Sequence, residues 1–113
     1  MDLFIELQEE LEKLNKSVEN LRKSGSDYAY AERDYKIILR QECLKLKDEK
    51  MAVGLIEKVC YGIPVVADAR CERDIKQAVY KANLEAINSI KLNIKIIENQ
   101  INREFTTYDT KNQ

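Results

Sequence analysis

Apolar side chains recur at steps of three or four along both arms of this chain, with polar ones filling the intervals. In the last third, Ile87, Ile90, Ile94, Ile97, Ile101 and Phe105 form a ladder that marks the buried seam of one long helix. Such a stripe is covered only by another helix of similar length. The first fifty residues supply it, because Phe4, Leu7, Leu11, Leu14, Val18 and Leu21 alternate threes and fours as a heptad seam does. The pattern predicts an all-α fold, a long antiparallel helical hairpin. Helix one spans about 2–50, a short helical turn about 54–61 and helix two about 67–105, leaving 106–113 as a frayed polar tail beyond a single domain over 1–105.

The segment Ser24-Gly25-Ser26-Asp27 allows either a break with a new cap or an uninterrupted helix that carries a glycine at a cost of about 1 kcal/mol. Counting the heptad through Gly25 keeps Tyr28, Tyr35, Leu39 and Leu46 on one stripe, which favours a continuous helix. Further on, Gly62 is placed to end the short turn in a left-handed conformation. Pro64 makes Ile63-Pro64-Val65-Val66 extended, and Asp68 can cap the helix that follows. If Lys50 faces Ala69, paired positions sum to about 119, setting Tyr35 near Leu84, Tyr28 near Lys91 and Leu14 near Phe105. Helix one then overhangs, leaving Leu3, Phe4 and Leu7 without an intramolecular partner.

Along helix two the positions Ile75, Val79, Ala82, Ala86, Ile90, Ile94, Ile97, Ile101, Phe105 and Tyr108 average about 3.67 residues per step, nearer an eleven-residue than a seven-residue repeat. Leu84, Ile87, Leu92 and Ile96 widen this surface past what one helix covers. The surplus predicts a homo-oligomer that completes a bundle.

Composition narrows the function classes. The 113 residues include only three glycines and one proline, and 35% are charged, a helix-rich make-up for one domain. Net charge is −1, without the concentrated basic face that phosphate binding demands. There is no histidine, and the three cysteines, Cys43, Cys60 and Cys71, lack metal-site spacing. Reduced thiols are expected, with Cys60 and Cys71 close enough across the turn for a bridge to be conceivable. No stretch has the length and apolarity of a membrane span and Met1-Asp2-Leu3 opens no secretory signal, so the expected location is the cytoplasm, with no cofactor and no metal.

Two mixed-charge clusters flank the turn, Ala31 to Lys36 and Asp68 to Asp74. Glu32 with Lys36 and Arg70 with Asp74 have the spacing of intrahelical ion pairs, and neither cluster forms acid–base machinery. Tyr30, Arg33, Lys36 and Arg40 are the candidate nucleic-acid contacts, an aromatic among cations, weakened by the interleaved Glu32 and Asp34. Asn83 lies between seam residues of an asparagine-rich helix, where it can specify oligomer register. For protein binding the candidates are the overhanging Leu3, Phe4 and Leu7 and the turn residues Tyr61, Ile63 and Val65.

The runs from Tyr28 to Met51 and from Val66 to Phe105 resemble small, mostly uncharacterised helical proteins encoded by phages and prophages of Gram-positive bacteria. The AERDYK segment, Arg73-Asp74 and the stretch from Glu85 to Lys91 carry the likeness, while Ala52-Val53-Gly54 departs from it. The resemblance implies an intracellular, non-enzymatic phage product in the bacterial host cytoplasm, with no functional residue to transfer. Three expectations follow. The first is a binding module that docks on a host protein, including a defence protein, and inhibits or redirects it. The others are an accessory nucleic-acid-binding protein of phage replication or recombination, and a structural component of a virion.

Overall fold

The computed structural model describes residues 2–112, with side chains described up to position 107. Three helices follow in order: α1 (Leu3–Asp48), α2 (Val53–Cys60) and α3 (Pro64–Asn112). The fold is all-α, and α1 and α3 pack against each other as a helical hairpin. The chain divides into two compact units, one joining the segment up to Arg22 with the segment from Ala82 onward, the other comprising Lys23–Lys81.

Local chemistry fixes each terminus. Asp2 caps α1, its Oδ1 accepting from the Phe4 N–H at 2.9 Å. At the other end Lys50 turns left-handed with φ 62°, the Lys50 N–H donates to the Lys47 carbonyl and the Met51 N–H to the Leu46 carbonyl. These two bonds define a Schellman stop, completed by the contact of Met51 with the core around Leu46. Lys50, not Gly62, is therefore the left-handed terminator; Gly62 has no positive φ. The expected extended stretch at Ile63–Val66 is also absent. Pro64 occupies the first position of α3, where its missing N–H leaves no bond unmade, and the Val66 and Ala67 N–H groups donate to the Ile63 carbonyl. At the far end α3 outlasts the expected stop at Phe105 and runs to Asn112, with Thr106 and Thr107 hydroxyls donating to the carbonyls of Asn102 and Arg103. Gln113 lies outside the described residues, as does the side chain of Tyr108.

In the unit Lys23–Lys81, α2 folds back along the end of α1. Cys60 and Val66 are fully buried with Leu46, and Ile38, Leu39, Cys43, Met51, Ile56 and Ile63 pack around them. Eight residues of α2 cover about 12 Å of α1, so α3 starts beside Leu39 and not beside Lys50. This displaces the expected register. Gln77 Nε2 donates to the Tyr28 hydroxyl at 3.0 Å, Tyr80 lies against Gly25, and Arg73 sits 4.6 Å over the Tyr35 ring. In the other unit Asn83 Nδ2 donates to the Asn20 carbonyl at 3.3 Å. Paired positions thus sum to roughly 105 instead of 119, a slip of about two heptads.

Gly25 sits where the Tyr80 ring comes close to α1. A Cβ there would meet Tyr80 Cε2 at 3.3 Å, so the missing side chain admits the ring, and buried Ser24 beside it keeps the approach close. Burial along α3 follows sevens, not elevens. Val66, Arg73, Tyr80, Ile87, Ile94 and Ile101 form one set of buried or half-buried positions, and Ala69, Lys76, Asn83, Ile90 and Ile97 the other. Ile75, Val79, Ala82 and Ala86, expected in the seam, are exposed. Between Ile75 and Ala86 the half-buried positions are held by Lys76, Gln77, Tyr80 and Asn83 instead.

Two substitutions check these points. Lys50→Gly should raise the unfolding free energy by about 1 kcal/mol by removing the strain of a left-handed lysine. Gly25→Leu should lower it by about 2 kcal/mol through overpacking against Tyr80, both read by urea unfolding.

Candidate protein-interaction surface

In the unit Lys23–Lys81 a group of exposed apolar side chains lies around α2. Only Ile56 and Cys60 of this helix turn strongly inward, which leaves Val53 81% and Leu55 52% exposed, with Val59, Tyr61 and Val65 also open to solvent. Between α2 and α1 lies an apolar cleft of about 280 Å³ lined by Leu39, Cys43, Val53, Ile56, Glu57 and Tyr61. Glu57 is its charged wall. Its carboxylate accepts a long bond from the Tyr61 hydroxyl at 3.5 Å, and its negative charge is the main reason the phenol titrates above its usual range. The opposite face of Tyr61 carries the Arg70 guanidinium, 5.5 Å from the ring centre.

At the base of the cleft two thiols meet. Cys43 Sγ donates to Cys60 Sγ at 3.2 Å, and Cys60 donates in turn toward the Leu39 carbonyl at 3.7 Å. Cys43, Cys60 and Cys71 are all free thiols, and Cys60 neighbours Cys43 rather than Cys71, which is exposed. Burial, followed by the bond and charge of Cys43 and then the charge of Glu42, pushes the Cys60 thiol from 9.0 up to about 11.

The predicted site residues fall into three groups. Tyr61 and Val65 are on the exposed turn surface, whereas Ile63 packs against the core beneath it. Leu3 and Leu7 belong to the other unit, where they are half-buried on the α1 heptad because α3 extends alongside them; the overhang disappears with the register that implied it. Phe4 is 64% exposed in that unit. Among the candidate nucleic-acid contacts, Arg33 donates to Asp34 Oδ1 at 3.0 and 3.2 Å and covers the Tyr30 ring at 4.9 Å, while Lys36 lies 3.8 Å from Glu32. A cleft beside Tyr30 is lined by Asp27, Asp34 and Glu72 with Lys76, so phosphate would meet carboxylates there. Arg40 is exposed.

Leu55, Val59 and the cleft of α2 were missed as a site because α2 reads in sequence as a mere turn. Glu32-Arg33-Asp34-Tyr35-Lys36 is echoed by Glu72-Arg73-Asp74-Ile75-Lys76, and the two copies stand opposite each other in one unit. Each copy repeats the same internal pairs, Arg33 with Asp34 and Arg73 with Asp74, Glu32 with Lys36 and Glu72 with Lys76. The expected Arg70–Asp74 pair is replaced, since Arg73 takes Asp74 and Arg70 turns to Tyr61. Across the hairpin, Arg73 over buried Tyr35 links the copies.

Among the described residues no helix is long and apolar enough to cross a membrane. Comparison with protein-family models, with curated proteins and with solved structures returns no match for this chain.

The Cys60 shift carries a sign for stability. With its folded value above the unfolded one, the thiol contributes stability below pH 9 that is lost as pH rises through about 11. The urea midpoint should therefore fall between those values, and Cys60→Ala should flatten that part of the profile relative to the wild-type protein, leaving the slope due to Tyr61 and Lys13.

Proposed function

We propose that this chain is a non-enzymatic protein-binding module that docks through the α2 surface on a protein of the host cell and inhibits or redirects it. The observation that supports this reading is the grouping of Val53, Leu55, Val59, Tyr61 and Val65 in the open beside an apolar cleft. Large apolar side chains gathered around a concave site are what a partner covers, and few soluble surfaces maintain them otherwise. The partner's matching feature is an apolar side chain that fills the cleft between Leu39 and Ile56, with Glu57 available to a donor at its edge. The resemblance to small phage-encoded proteins supports a bacterial host as the setting, and a defence protein as one class of target.

Self-association belongs to the same proposal. Ile75, Val79, Leu92 and Ile96 of α3 are exposed outside the seam, and a second copy would cover them. Light scattering at micromolar concentration should show a species larger than one chain; a monomer would remove this part without touching the α2 surface.

The docking claim is tested by affinity capture from host lysate with three baits. Wild type and Phe4→Ser should retain the same partner, whereas Leu55→Glu combined with Val59→Glu should weaken it at least tenfold, with helicity unchanged by circular dichroism. Equal capture by all three would end the proposal.

A further inference from the structure

Within the α2 cleft the two thiols carry an inference independent of any protein partner. Their sulfurs are already 3.2 Å apart on two different helices, 17 residues apart in sequence. A disulfide bond is about 2.0 Å long, so closure asks for an approach of little more than 1 Å. The two sites differ in access. Cys60 is 0% exposed, while half-buried Cys43 lines the cleft of about 280 Å³ together with Val53 and Tyr61.

We propose that Cys43 and Cys60 form a dithiol site that reacts with low-molecular-weight disulfides and closes to a reversible disulfide linking α1 to α2. The order of events follows from access. The Cys43 thiolate attacks one sulfur of the incoming disulfide, whose S–S bond breaks; one small thiolate leaves and takes a proton from water. The remaining half is held on Cys43 within the cleft. Cys60 attacks Cys43 Sγ and expels the second small thiolate, which takes up the Cys60 proton. Two protein thiols are oxidised to one cystine, and one external disulfide is reduced to two thiols.

Cys60 has little thiolate at neutral pH because its pKa is pushed up to about 11. This makes the second step slow for a free thiol, but the fixed 3.2 Å separation offsets it, since a held nucleophile acts at a high effective concentration. Cys71 provides an internal control. It is exposed, and the cleft beside it is lined by Tyr61, Ala67, Arg70, Asp74, Ile75 and Ala78, none of them a thiol. An external disulfide can therefore modify Cys71 but not close a ring there.

The consequence of closure is mechanical. The link would staple α2 to α1 at the point where the chain turns back, constraining the unfolded chain as well as the native one.

The test uses the full chain carrying Cys71→Ser, equilibrated in glutathione disulfide and then in dithiothreitol. After oxidation the expected product has lost two hydrogens in intact mass, and peptide mapping joins Cys43 to Cys60. Its melting temperature should rise by roughly 10 °C and return on reduction. Cys43→Ala in the same background should show neither change. Persistence of a glutathione adduct on Cys43, or two alkylatable thiols after oxidation, would overturn the proposal.

Discussion

The burial of Cys60 and Val66 against Leu46 is the constraint on which the rest of this molecule depends. These side chains pin a helix of eight residues against the end of α1 and thereby decide where α3 begins. Long helices joined by a turn can slide past one another by whole heptads with little change in the apolar pairs they make. Here the connection is itself a packed element with its own core, so sliding by a heptad would expose Cys60 and Val66. The register of the hairpin is set at its turn.

Past the turn, polar residues enforce what the core begins. Arg73 over Tyr35, Gln77 on the Tyr28 hydroxyl and Asn83 on the Asn20 carbonyl occupy seam positions of α3 where isoleucine would pack in several alignments. Each has one good partner, and each loses it on a shift. Gly25 adds a steric preference, because a Cβ there would press on the Tyr80 ring at 3.3 Å. In the other unit Glu10 makes no such contact: its Oε1 is held by Lys13 of the same helix at 3.0 Å, and its buried Oε2 has no hydrogen-bond partner.

The same fold-back connects structure to function. Because α2 has an apolar residue at most of its positions, it can turn only part of itself inward, and what remains outside is Val53, Leu55 and Val59. The proposed docking surface is thus a by-product of the element that sets register, and the thiol pair lies beneath it at the α1–α2 contact. A partner bound in the cleft and a disulfide closed at its base would act on one joint. Stabilising that joint and presenting its apolar surface are physically coupled.

The helices in order and the hairpin they form are legible in local periodicity. The isoleucine ladder from Ile87 to Ile101 and the continuity of α1 through Gly25 need no more than that count, whereas Phe4 and Leu11 of the expected α1 seam are exposed and Leu3 and Glu10 are half-buried instead. Periodicity misplaced the seam between Ile75 and Ala86, because apolar character was followed where the buried positions are held by Arg73, Gln77, Tyr80 and Asn83. It also misplaced the pairing by about two heptads, and with it the overhang at Leu3 and Leu7. Periodicity says which face of a helix is buried but not against which residue, since every heptad presents a similar stripe. The pairing is settled in three dimensions by the path of α2, whose direction depends on Cys60 meeting Cys43 and Leu39 across the turn.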